Sequence, residues 1–169
     1  GTIAGPVFAA AVILPLEANI PWLPLVRDSK QLSPRRREYI FKLIQQTNVA
    51  IGIGVVPHTD IDKRGIVKAT RLAMSRAIDQ LPFAPDFLLI DALALPEVSL
   101  PQRSIVHGDQ LSLSIACASI VAKVSRDRYM VGLDSLYPGY GLARHKGYAT
   151  KQHLLCLQQL GPCSIHRQS

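Results

Sequence analysis

An α/β fold with a mixed central sheet flanked by helices is predicted by three features of the 169-residue sequence. Apolar runs of strand length recur along the chain. Segments whose apolar residues repeat at helical spacing lie between them. No internal repeat, low-complexity tract or Pro/Ser linker interrupts the alternation, so residues 1–169 read as a single domain.

The elements follow in order. Val7 to Leu14 is a continuous apolar run that suits a buried strand, with a short buried helix as the rival reading. Ser33-Pro34 supplies an N-cap with proline at the first helical position and opens a helix to about Thr47, with Tyr39, Ile40, Leu43 and Ile44 on its apolar side. Val49 to Val56 is the next strand. Thr59 or Asp60 can cap a second helix, in which Ile66, Ala69, Leu72, Ala73 and Ala77 recur at helical spacing. Two short apolar runs end in acids: Phe87 to Ile90 at Asp91, and Ser104 to Val106 at His107-Gly108-Asp109. A long helix between Leu111 and Leu136 starts with small residues (Ser112, Ser114, Ala116, Cys117, Ala118, Ser119), which permit close approach to a neighbouring backbone. A glycine-rich loop from Tyr137 to Tyr148 precedes a last helix, Thr150 to Leu160, stopped by Gly161-Pro162.

Composition narrows the function classes. Apolar residues make up 48% and charged residues 18%, which excludes a disordered chain. A net charge of +7 favours a polyanion partner or an anionic surface. Cys117, Cys156 and Cys163 form no CxxC pair and suggest neither a disulfide framework nor a zinc site, so a reducing, cytoplasmic setting is expected. No apolar run reaches membrane-spanning length, and the opening Gly1-Thr2-Ile3 has no basic region of the kind that starts a signal peptide.

Asp91 and Asp109 each stand at the C-terminal end of an apolar strand, where α/β folds place ligands. Hard carboxylate oxygens select Mg²⁺ or Mn²⁺, and such ions assist phosphodiester hydrolysis. The rival reading makes both acids caps of loops or helices, and two carboxylates are too few to hold two metals. His107 has no Ser or Cys partner, which leaves a nucleophilic triad unsupported.

The wording of the segments carries the reading further. Ala4-Gly5-Pro6-Val7, Asp28-Ser29-Lys30-Gln31-Leu32, Ala69 to Met74, Leu89-Ile90-Asp91, Gly108-Asp109, Ser114 to Asp127, His145-Lys146-Gly147-Tyr148 and the tail Ile165 to Ser169 together resemble ribonuclease HII, in order and across the whole chain. The resemblance implies an RNase H-like fold. It also implies an endonuclease for the RNA strand of RNA–DNA hybrids that cuts on the 5′ side of ribonucleotides embedded in duplex DNA, using Mg²⁺ or Mn²⁺. Asp91 and Asp109 match two of the family's four metal-binding carboxylates, and both are assigned here as catalytic and metal residues. The other two belong to an Asp-Glu-x-Gly-Arg-Gly segment, of which Gly1 matches the final glycine, so the chain reads as N-terminally incomplete.

Tyr148 matches the tyrosine that packs on the junction sugar and senses the 2′-hydroxyl; without the family it reads as a half-buried loop residue. Gly1, Lys30 and Lys146, with Arg144 and His145 beside it, are the other candidates for substrate contact; a solvated basic face is the rival reading. Asp127 lies one helical turn after Lys123 and reads as half of an ion pair. The expected partners are an RNA–DNA hybrid and ribonucleotide-containing DNA, bound by a monomer away from membranes. A non-catalytic hybrid-binding protein, or a subunit whose first strand comes from another chain, remain as alternatives.

Overall fold

Val7–Ile13 (β1) and Ala50–Val56 (β2) pair antiparallel, from Val7 opposite Val56 to Ile13 opposite Ala50. The run at 7–14 is therefore a strand. One face of this pair is shaped by glycine. A Cβ on Gly52 would lie 1.9 Å from the Ala77 carbonyl oxygen, and one on Gly54 1.9 Å from that of Ala73. Only bare backbone admits the helix so closely, and that helix, Ile66–Asp79 (α3), answers with Ala69, Ala73 and Ala77, all fully buried. Ile66, expected on this face, is exposed at the start of α3, whereas Leu72 packs beside the alanine row.

The computed structural model describes residues 1–15 and 19–169. Pro34–Gln46 (α1) starts where predicted, with the Ser33 hydroxyl accepting from the Arg36 amide. Its buried residues are Ile40, Phe41 and Ile44, whereas Tyr39 faces solvent, so the apolar stripe is rotated by about one residue from the expectation. The next helical segment is two helices, His58–Arg64 (α2) and α3. Gly65, at φ 78°, stops the first, and Pro57 precedes it in extended conformation; Thr59 and Asp60 lie inside α2 rather than at a cap.

Leu88–Asp91 (β3) and Gln102–Ile105 (β4) pair in parallel, Asp91 opposite Ile105. Among the described residues, the antiparallel and parallel pairings expected of a mixed sheet are divided between two two-stranded sheets. The predicted helix from Leu111 to Leu136 is also divided: Gly108–Leu111 (α4) ends at extended Ser112, and Leu113–Leu133 (α5) follows. The α5 residues Ala116, Cys117, Ile120, Val121 and Val124 pack on the buried stripe of α1 together with Trp22 and Val26. The small residues do permit close approach, since Ser119 Oγ lies 2.7 Å from Ser29 Oγ.

Within the glycine-rich loop a single turn of helix, Leu142–His145 (α6), was not anticipated. Lys151–Leu160 (α7) is capped by the Thr150 hydroxyl, which accepts from the His153 amide. The N-terminal segment threads between this region and the C-terminal tail: Thr2 bridges Tyr148, Ala4 bridges His166, and Ile3 N donates to Gly147 O at 2.9 Å. Among the described residues, no helix is long and apolar enough to cross a membrane.

Candidate active site

Asp91 and Asp109 converge. Asp91 closes β3, and its Oδ1 accepts from the Gly108 amide at 2.9 Å, which sets the α4 turn directly against the strand end. A Cβ on Gly108 would stand in ordinary contact, 3.4 Å, from that same oxygen, and its one tight neighbour would be the flexible end of Ile115 at 2.7 Å. Asp109 follows on the first turn of α4 and is buried. Its Oδ2 accepts from Lys30 Nζ at 3.4 Å.

Asp28 is the residue that sequence reasoning overlooked. It is buried, its Oδ1 accepts from the Lys30 amide at 2.9 Å, and its Oδ2 from Gln110 Nε2 at 3.5 Å. The Lys30 amide, opposed by burial and helped by the Lys30 charge, holds the Asp28 carboxyl below the usual range. Burial pulls the Lys30 ammonium down, yet the carboxylates of Asp109, Asp28 and Asp91 outweigh it and leave Lys30 raised. Lys30 thus pairs with Asp109 and also feels the charges of Asp28 and Asp91. The available signal was the Asp-Ser-Lys order itself, an acid two residues before a lysine in a polar turn, which favours an Asx-type loop.

Backbone strain marks the same places. Among the described residues, three non-glycine residues adopt positive φ: Ala92 at 58°, His107 at 55° and Lys146 at 54°. The first follows Asp91, the second comes two before Asp109, and the third comes two before Tyr148. Each left-handed residue costs about 1 kcal/mol, and such strain gathers at functional sites.

Tyr148 is 41% exposed and lies over α5, with Lys123 Nζ 5.0 Å and the Arg126 guanidinium 5.7 Å from its ring centre. Lys123 also pairs with Asp127 at 2.8 Å, as the spacing predicts. Ser119, which touches Ser29 beside Lys30, is one turn, or about 6 Å, before Lys123 on this helix. Helix α5 therefore sets the separation between the acid cluster and the tyrosine. Gly1 joins the tyrosine loop, its carbonyl accepting from the Ala149 amide at 3.3 Å. Lys146 turns its ammonium onto the Ala143 carbonyl and lines a groove of about 280 Å³ with Arg37, Asp127 and Arg128. Arg126, also unanticipated, is buried and donates to the carbonyls of Ala4, Pro6 and Lys146, tying the N-terminal segment to the tyrosine loop. Its place four residues before buried Met130 on α5 was the signal that it faces inward.

The donor set fits a hard divalent cation in kind: Asp91 and Asp109 offer carboxylate oxygens, and Asp109 already holds the cationic end of Lys30. Among the described residues, no three His, Cys, Asp or Glu side chains gather as a ligand set. Burial pushes the Cys117 thiol up to about 12, so it is not a nucleophile at neutral pH.

The ribonuclease HII family model matches residues 1–169. The chain belongs to the ribonuclease HII family. It is 53% identical to ribonuclease HII of Dehalococcoides mccartyi over 169 residues, 100% of this chain and 80% of the relative. It is 51% identical to that of Geobacter metallireducens, covering 78% of the relative. Ribonuclease H2 of Pyrococcus horikoshii superposes with a TM-score of 0.77 at 26% identity, over 99% of this chain and 87% of the other. Ribonuclease HII of Archaeoglobus fulgidus, solved in complex with PCNA, superposes with a TM-score of 0.81 at 23% identity, over 99% of this chain and 89% of the other. The RNase H-like fold expected from the sequence is thereby shown, and family membership makes this chain a ribonuclease H endoribonuclease acting on RNA–DNA hybrids.

Proposed function

We propose that this ribonuclease HII hydrolyses the RNA strand of hybrids and cuts on the 5′ side of ribonucleotides embedded in duplex DNA, by two-metal-ion catalysis with Mg²⁺ or Mn²⁺. The observation that carries the reading is the convergence of Asp91 and Asp109 through the Gly108 amide, on the same side of α5 as an exposed tyrosine whose ring lies over Lys123, one turn beyond the Ser119 that touches the Lys30 loop. Asp91 and Asp109 would hold the metal, whose chemistry is activation of water and stabilisation of the leaving oxygen. Lys30 neutralises the acid cluster before substrate arrives and is free to swing toward a phosphate, being 80% exposed along its side chain. Tyr148 presents one ring face to substrate while α5 occupies the other with Lys123 and Arg126. A ring stacked on a deoxyribose would crowd a 2′-hydroxyl, and so favours DNA on the 3′ side of the cut. Gly1 and Lys146 are proposed substrate contacts flanking that tyrosine. The proposal includes cytoplasmic action as a monomer, and the free thiols of Cys117, Cys156 and Cys163 support the compartment.

The test uses the chain carrying an Asp-Glu-x-Gly-Arg segment ahead of Gly1, with Mg²⁺, on a duplex containing one ribonucleotide. Cleavage leaving a 3′-hydroxyl on the DNA and a 5′-phosphate on the ribonucleotide is expected. Cleavage confined to continuous RNA would remove the embedded-ribonucleotide half of the reading.

A further inference from the structure

Behind Tyr148 lies a cluster of three buried histidines, His145, His153 and His166, that the hydrolysis itself does not use. The His145 and His153 rings stack at 4.0 Å, and those of His153 and His166 tilt against each other at 5.2 Å. The Cys163 amide at one end and the Tyr148 carbonyl at the other assign the protons along the chain. The Cys163 amide donates to His166 Nδ1 at 3.0 Å, so the His166 proton is on Nε2. That proton points at His153 Nε2, 3.0 Å away, which must accept it. His153 therefore carries its own proton on Nδ1 and donates it to the Tyr148 carbonyl at 2.9 Å. His145 completes the cradle: it accepts the Gly147 amide on Nδ1, donates from Nε2 to Tyr140 O at 2.7 Å, and its carbonyl accepts the Tyr148 amide at 2.9 Å.

We propose that the directed chain Cys163 to His166 to His153 to the Tyr148 carbonyl is a positioning relay, in which His153 and His166 fix the tyrosine that reads the RNA–DNA junction and so set substrate preference. The inference rests on the substrate-reading role given to Tyr148 above. Each member has one donor and one acceptor, so the relay works only with both rings neutral. A second proton on His153 would set N–H against N–H across the 3.0 Å to His166, and one on His166 Nδ1 would displace the Cys163 amide, 3.0 Å away, in favour of the Cys163 carbonyl at 3.2 Å. Burial, ahead of the neighbouring imidazoles of His145 and each other or His58, holds both rings below the usual histidine value, which keeps the relay intact at neutral pH. The titratable groups facing the pair are His145 from α6, His58 from α2, and Tyr140 and Cys163 from the flanking loops.

The experiment measures the ratio of cleavage rates on a single embedded ribonucleotide and on continuous RNA, from about pH 7.5 to about pH 5.5, either side of the ordinary histidine value. The ratio cancels the pH dependence of hydrolysis common to both substrates. It should fall at least about fivefold on acidification, the lower end of what one lost aromatic stack costs. His166→Gln keeps a donor nitrogen facing His153 but cannot titrate; it should hold the neutral-pH ratio and shift the acid decline to lower pH. His153→Leu should lower the ratio at every pH. Because that variant risks misfolding, nitrogen-edited NMR of the unmutated chain provides the second measurement, with His166 protonated at Nε2 and His153 at Nδ1. A ratio independent of pH and unchanged by His153→Leu, or a His153 proton on Nε2, overturns the relay. Tyr148→Ala run alongside separates the two claims: an unchanged ratio there removes the reading of Tyr148 itself, and with it the purpose of the relay.

Discussion

Replacing Lys30 by methionine tests whether this residue serves the fold or the substrate. Its ammonium lies 3.4 Å from Asp109 Oδ2. At that separation two unit charges attract by roughly 5 kcal/mol at an effective dielectric constant of 20 but only about 1.2 kcal/mol in water. The lysine side chain is 80% exposed while Asp109 is 4% exposed, so the pair is open to solvent at one end and screened. Exposed ion pairs return about 0.2–1 kcal/mol once side-chain entropy is included. The expected loss of stability for Lys30→Met is therefore at most about 1 kcal/mol, a shift in Tm of about 2–4 °C for a chain of this size. The substrate effect should be larger and of a different kind. One lost phosphate contact should reduce the slope of log affinity against log salt for hybrid binding by about 0.9. Thermal denaturation and a salt titration of hybrid binding measure the two quantities on the same preparation. A loss above about 2 kcal/mol with an unaltered salt slope would make Lys30 a structural partner of Asp109 and refute the assignment.

Three other perturbations reach the fold and the tyrosine. Gly54→Ala drives a Cβ to 1.9 Å from the Ala73 carbonyl, and because the obstacle is backbone, α3 must move; a loss of about 1–3 kcal/mol or more in urea unfolding is expected, and a neutral substitution would contradict the packing. His153 and His166 are held below 6.5 by burial, so the stability they confer is complete above about pH 6.5 and is lost as pH falls through their folded-state values. The urea midpoint should drop between about pH 7 and about pH 5, and drop less in His166→Gln; a midpoint that rises toward acid would reverse the sign. With the Asp-Glu-x-Gly-Arg segment present, Tyr148→Ala should slow cleavage at a single ribonucleotide more than within continuous RNA, while Tyr148→Phe does much less; equal losses on both substrates would leave Tyr148 a packing residue.

Local signals were readable wherever one residue decides the outcome. Ser33-Pro34 starts α1, Thr150 caps α7, and the apolar runs at Val7 and Ala50 are strands that pair with each other. The errors arise where tertiary packing overrides the local pattern. Ser112 bends the chain between α4 and α5 while the Gly108 amide holds α4 against Asp91, a demand the helical periodicity of the segment does not carry. Tyr39 is exposed and Phe41 buried because α1 is oriented by its contact with α5, not by its own sequence. Asp91, Asp109 and Tyr148 were singled out by their family match, and Asp91 and Asp109 meet at the Gly108 turn. Asp28, Arg126 and His153 were not assigned, because their distant partners are set by the fold: Arg126 donates to the carbonyls of Ala4 and Pro6, Asp28 accepts from Gln110, and His153 meets His166. Such partners leave no periodic trace.

The account stands most directly on Asp91. In the enzyme carrying the Asp-Glu-x-Gly-Arg segment, Asp91→Asn keeps the side-chain oxygen that receives the Gly108 amide but removes the charge a divalent cation requires. Cleavage of a ribonucleotide-containing duplex at saturating Mg²⁺ should fall to background while affinity for that duplex, measured without turnover in Ca²⁺, stays within about threefold, because binding rests chiefly on phosphate contacts. Retention of most of the cleavage rate by Asp91→Asn would contradict the assignment of the site.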